Sequence, residues 1–167
     1  MNNDRLQQIE KHLELLREQQ VALEEEAILE TGLAKIQALQ RLKKDVKPSI
    51  REFEEEYWKI LSHHAEYIDV PEQEAEVVVA EIVQEVNSIE QNKHIYPDEM
   101  MMLLIEIRDR LNQSGTTAAA KLKGVISSFP PFVGLSYEAE LDTENFLRKH
   151  FPTFTKFLKK ETKKKLA

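Results

Sequence analysis

Apolar residues recur near the start of the chain at alternating steps of three and four: Leu6, Ile9, Leu13, Leu16 and Leu23, with Gln20 in the skipped place. Charged or amide residues fill most of the positions between. That spacing is a heptad seam, and it predicts one long helix. Asp4 is placed to cap its start, and Thr31-Gly32 supplies the left-handed stop that glycine adopts at least cost. A second stripe, Leu33, Ile36, Leu39, Leu42 and Val46, follows at once. So short a connection forces the two helices antiparallel, and residues 1–68 are expected to form a long αα-hairpin resembling a coiled coil. Pro48 lacks a helix donor and disfavours helical geometry at Lys47, while Ser49-Ile50-Arg51-Glu52 has capping-box spacing. A kink or a fresh helix start is expected there. Ile50, Phe53, Tyr57, Trp58, Ile60 and Leu61 then carry the apolar face on to Ser62-His63-His64.

In the run EAEVVVAEIVQEVNSI the valines suggest a strand, but the glutamates do not alternate with them. Ala75, Val78, Val79, Ile82, Val86 and Ile89 fit a helical stripe better. Pro97-Asp98-Glu99 makes a good first turn for the next helix, with Met100, Leu104, Ile107 and Leu111 on its stripe and Ser114-Gly115 at its end. Residues 69–114 therefore read as a second helix pair. Of Met100-Met101-Met102, helical spacing turns one or two into a core and leaves the remainder to an adaptable surface. Residues 115–167 read as a helix over 118–128, a break at Pro130-Pro131, an extended or loosely turned stretch over 133–141, and a short helix capped by Asp142 or Thr143. Six of the seven Phe lie here, ahead of a lysine-rich end. The expected fold is all-α: antiparallel helical hairpins forming a bundle, with a short irregular Pro/Phe-rich module after them.

Composition narrows the functional classes. Acidic residues outnumber basic ones, 30 to 23, for a formal net charge of −7. From Glu52 to Glu90 twelve acids face Lys59 alone, whereas from Arg148 onward eight basic residues face Glu161 alone. The body is therefore strongly acidic, which sets nucleic acid aside as its partner, while the tail is basic. With no Cys there is no disulfide, thiolate nucleophile or cysteine zinc site. The N-terminus MNNDRLQQIE has no apolar signal core, so a cytoplasmic protein is expected.

Candidate chemistry is sparse. His63-His64 point about 100° apart on a helix and converge poorly on one ion. His12, His94 and His150 stand alone in the sequence. Glu24-Glu25-Glu26 and Glu54-Glu55-Glu56 read as solvated faces with i,i+4 partners such as Glu55 to Lys59. Ser136, Tyr137, Asp142 and Thr143 have neither a G-x-S-x-G elbow nor a glycine-rich phosphate loop around them. No catalytic, cofactor-binding or metal-ligating residue is assigned, and no enzyme is expected. The basic tail, Lys156, Lys159, Lys160, Lys163, Lys164 and Lys165, has three readings: a solvated end, a docking element for an anionic membrane or acidic protein, or a nucleic-acid contact. Phe154, Phe157 and Leu158 beside it would give a membrane anchor its apolar half.

Two segments resemble a known family. The leucine seam with EEEAILETGLAKIQALQRLKKDV and REFEEEYWKIL resembles the helical-hairpin effector-associated domains of cyanobacterial signalling and conflict-system proteins. The string TTAAAKLKGVISSFPPFVGLSYEAELDTENFLRKHFPTF is similar to a C-terminal segment of the same multidomain proteins. The resemblance implies binding to a like domain or a partner helix that recruits an effector, with no chemistry in the module itself. The expectation is an adaptor whose partner is a protein, either a copy of itself or an effector-fused helical domain. Leu13, Leu16, Leu23, Ile36 and Leu39 are the seam residues expected to meet that partner. A membrane-surface protein using the Phe-rich module and the lysine tail is the alternative.

Overall fold

The computed structural model describes residues 2–92 and 95–166, with side chains over 4–92 and 95–162. Among these residues every regular element is helical, so the fold is all-α. The chain divides into two compact units, residues 1–57 and 58–167.

The first unit is a hairpin. Helix α1 (Asn2–Leu29) packs antiparallel on α2 (Gly32–Arg41) and on the single π turn Leu42–Val46 that joins α2 to α3 (Lys47–His64). Asp4 lies inside the first turn of α1 rather than capping it. Gly32 takes the left-handed conformation, with φ of 64°, as the Thr31-Gly32 stop requires. The seam of α1 is the one read from its spacing: Leu6, Ile9 and Leu23 are buried, Leu13, Leu16 and Gln20 are half-buried, and Ala27 extends the series.

The second arm differs from expectation in two ways. It does not restart at Ser49: the backbone stays right-handed helical through Arg41, Leu42 and Lys47, and the Lys47 N–H donates to Leu42 O, five residues back. A proline at position 48 would clash with the carbonyl four residues earlier in a regular α-helix, and a wider turn just before it is the adjustment that keeps the arm continuous. Of the expected stripe, Leu42 and Val46 are buried, in line with Ala38 and Ile50, whereas Leu33, Ile36 and Leu39 face outward. Along α2 the alanines take the inward positions and the larger side chains are turned to solvent.

Polar contacts lock the hairpin's open end. Arg17 pairs with Glu54, which is only 4% exposed. Arg5 grips Glu56 with two bonds of 2.6 and 2.8 Å, and that pairing holds the Glu56 carboxyl below its ordinary range. His12 stacks on Phe53 at 5.1 Å between ring centroids. The triple glutamate is thus not a solvated face. Glu54 is buried, Glu56 bridges to α1, and Glu55 pairs with Arg51 rather than Lys59.

The second unit is built around α4 (Glu72–Gln91), which packs on α5 (Asp98–Leu111), α6 (Ala118–Ser128) and α9 (Pro152–Leu166). Ala75, Val78, Ile82, Val86 and Ile89 of α4 are buried, as the helical stripe predicted. Helix α6 ends at Ser128, so the break at Pro130-Pro131 stands, but the stretch expected to be extended or loosely turned is instead α7 (Pro130–Glu138), for which the two prolines supply the first turn. Helix α8 (Thr143–His150) follows, with Asp142 as its N-cap: the carboxylate accepts from the Glu144 and Asn145 N–H groups. Trp58, Phe129, Phe132, Phe146 and Phe154 form a connected aromatic core, beginning with Trp58 on Phe129 at 4.2 Å. Phe151 and Phe157 are buried as well.

Helix α7 ends in a Schellman arrangement, with Leu141 N–H on Ser136 O and Glu140 N–H on Tyr137 O. Its left-handed position is held by Glu140, at φ of 60°, where a side chain is strained. Glu140→Gly is therefore expected to stabilise the second unit by about 0.5–1 kcal/mol, measurable as a raised denaturation midpoint. An unchanged or lowered midpoint would show that the strain is not stored there.

Candidate functional site

The outstanding surface feature lies at the closed end of the hairpin. Leu33, Ile36 and Leu39 are 69%, 52% and 47% exposed on α2, and Ile28 and Leu29 at the end of α1 are each 80% exposed. At about 100° per residue, Leu33, Ile36 and Leu39 fan across the outward half of α2, while Ala34 and Ala38 occupy the inward half. Helix α2 thus carries two apolar faces, one of alanines turned inward and one of larger side chains turned outward, with Lys35, Gln37, Gln40 and Arg41 interspersed. Of the residues read as partner-facing, Ile36 and Leu39 lie on this surface. Leu23 is buried in the hairpin's own seam, and Leu13 and Leu16 are half-buried along it, so these three serve the fold first. Ile28, Leu29 and Leu33 were not singled out as partner-facing. Ile28 and Leu29 fall outside the heptad seam, and that departure was the signal that could have found them.

Charge divides across the tip. Glu24, Glu25, Glu26 and Glu30 are exposed on α1, whereas Lys35, Arg41, Lys43 and Lys44 are exposed on α2 and the π turn. The tip therefore joins an apolar end to one acidic and one basic flank.

The acidic run of the second unit has a structural use. Glu72 accepts from the Ala118 and Ala119 N–H groups at the start of α6, and Glu81 accepts from Thr153 and Phe154 N–H at the start of α9. Both carboxylates complement the positive ends of helices that they do not belong to. Glu90 pairs with Arg108, and Glu74 accepts from Lys160 Nζ at 2.7 Å, which raises the Lys160 pKa. Glu81→Ala should lower the stability of this unit by about 1–2 kcal/mol in thermal or chemical denaturation. A loss under a few tenths would contradict the cap.

The basic tail loses its apolar half. Phe154, Phe157 and Leu158 are buried, so the aromatic residues that would have entered a membrane form the core of their own unit. Lys156, Lys159 and Lys160 are exposed on α9; Lys159 lies 4.0 Å from Glu144, and Lys160 is bound to Glu74. The side chains of Lys163, Lys164 and Lys165 lie outside the described residues, as does His94. No helix among the described residues is long and apolar enough to cross a membrane.

His150 does not stand alone as its sequence position suggested. Its Nδ1 is 2.7 Å from Glu85 and its Nε2 is 2.6 Å from the Tyr96 hydroxyl, joining α8 and α4 to the segment before α5. Burial, with a smaller contribution from Glu85, pushes the Tyr96 hydroxyl pKa up, the opposite of what an activated nucleophile needs. Ser136 and Thr143, both buried, share a hydrogen bond that ties α7 to the start of α8. Met100 is buried, Met101 half-buried and Met102 70% exposed. Among the described residues no three His, Asp or Glu side chains are grouped so that they could hold a metal ion.

No family model, curated protein or solved structure matches the chain. The resemblance to effector-associated hairpins rests on the residue strings that carry it.

Proposed function

We propose that this protein is a non-catalytic adaptor of a bacterial signalling or defence system, whose hairpin tip docks on a helical partner and recruits it as an effector. The observation that carries this reading is the exposed face of Leu33, Ile36 and Leu39 on α2 beside Ile28 and Leu29, five large apolar side chains left to solvent at one end of a hairpin. Recognition would follow the helix-in-groove mode, with apolar anchors supplying affinity and the charged flanks setting register. Work of this kind is done in the cytoplasm.

The test compares the full chain with its Leu33→Glu/Ile36→Glu variant, both checked for equal helicity. Partners captured by the wild type from a native extract are purified and titrated against each form. The reading requires the variant to lose at least about tenfold in affinity, on the order of 1.4 kcal/mol. A partner that binds both forms equally would overturn it.

A further inference from the structure

We propose that a second copy of this chain is one partner of the tip: α2 of one copy lies in the groove between α5 and α7 of another. This rests on the reading of the tip as a docking surface, and it names the surface that receives it.

The groove is a shallow, open depression of about 720 Å³, and Met102, Leu103, Ile105, Pro131 and Leu135 supply its apolar lining. Met102 is 70% exposed there, and an unbranched thioether readily reshapes itself around an incoming side chain. The groove runs along α5 from Glu99 to Arg110, a path of about 17 Å at 1.5 Å per residue, and Gln113 lies just past the helix end. Helix α2 and its π turn, Gly32 to Val46, cover about the same length. The two surfaces match in extent as well as in apolar character.

Charge selects the pairing. Glu99, Glu106 and Asp109 line the groove; Glu106 holds its one lining cation, Arg110, at 2.7 Å, and Asp109 accepts from the neighbouring Arg108 at 3.1 Å. The α2 arm brings Lys35, Arg41, Lys43 and Lys44, all exposed, against those acids. The contact is therefore heterologous: every copy carries both an insert and a receiver, and the two are different surfaces.

That asymmetry gives the test. Sedimentation velocity is run over a concentration series on the full chain, on a tip variant (Leu33→Glu/Ile36→Glu), on a groove variant (Met102→Glu), and on the two variants mixed. All the replaced side chains are exposed, and circular dichroism verifies that helicity is unchanged. The wild type is expected to rise above 19.5 kDa with concentration, and each variant alone to associate at least about tenfold more weakly. The mixture should recover association, because the tip variant keeps its groove and the groove variant keeps its tip. A groove variant that associates like the wild type would show tip-on-tip pairing and overturn the proposal, as would a mixture that fails to recover the association of the wild type. A wild type that stays at 19.5 kDa throughout would also overturn it, yet leave the tip free to bind a different protein. A tip variant that self-associates like the wild type would remove the tip from this contact, and the titration against captured partners would then decide the adaptor reading separately.

Discussion

Truncating Phe132 to alanine is expected to destabilise residues 58–167 by about 3–5 kcal/mol, the range for losing a fully buried phenylalanine ring. Phe132 is completely buried, with Phe129 and Phe146 each at 5.0 Å between centroids, so removing its ring opens a cavity at the centre of the aromatic cluster. Neighbouring rings are held by the turn at Pro130-Pro131 and by Asp142 capping α8, and they have little freedom to collapse into the gap. Trp58 is the only tryptophan and packs on Phe129 at 4.2 Å, so its fluorescence reports this unit directly. Chemical denaturation followed at that signal should show a midpoint lowered in proportion. A loss below about 1 kcal/mol would mean that the Phe-rich segment is not a core, and would return its rings to consideration as a membrane-facing surface.

Replacing Arg17 with methionine should have a comparable effect on the hairpin. Glu54 is 4% exposed and sits opposite Arg17, and a buried carboxylate deprived of its cation typically costs about 3–5 kcal/mol. Replacing both partners, as Arg17→Met/Glu54→Leu, should recover most of that loss, because the penalty lies in the stranded charge rather than in the missing pair. Lowering the pH should narrow the gap between Arg17→Met and wild type, since protonation neutralises the buried carboxyl that Arg17 would otherwise balance. Denaturation of the three forms, followed by far-ultraviolet circular dichroism, supplies the comparison. Equal stability of Arg17→Met and wild type would show that Glu54 is hydrated.

The legibility of the sequence varied with the kind of information each element carries. The α1 seam was plain because its apolar residues keep one phase from Leu6 to Leu23. In the second arm the stripe Leu33, Ile36, Leu39, Leu42 and Val46 holds only at its far end: Leu42 and Val46 are buried, but nearer the turn Ala38 takes the inward place and Leu33, Ile36 and Leu39 become the exposed tip. The misplaced half of the stripe and the candidate site are therefore one fact. At Pro48 a kink or a fresh start was expected because proline disrupts a regular helix, and periodicity carries no sign of the π turn that keeps the arm continuous. At Pro130-Pro131 the break was legible but the helix that follows it was not, since the same residue type that interrupts a helix also starts one well. Long-range partners were the least visible. Nothing local in the sequence joins Glu81 to Thr153, Glu85 to His150 or Arg17 to Glu54, and each side chain taken alone reads as solvated.

These pairings also change the meaning of the charge distribution. The glutamates of α4 cap two other helices and hold a lysine of the tail, so much of the acidic run is consumed by the fold. The hairpin tip stands out against that background: its apolar residues have no such use within the hairpin that carries them.

Whether the outer face of α2 is uncovered by its own chain can be measured directly, because the protein has no cysteine and a single introduced thiol is unique. Ile36→Cys places it on that face, and Ala38→Cys places a control in the buried seam two residues away. In dilute solution the account predicts that Ile36→Cys is alkylated at close to the rate of the unfolded chain, with Ala38→Cys strongly protected until the hairpin opens. Equal protection at both positions in the dilute chain would contradict it, for the chain would then already cover the surface on which the proposed docking depends.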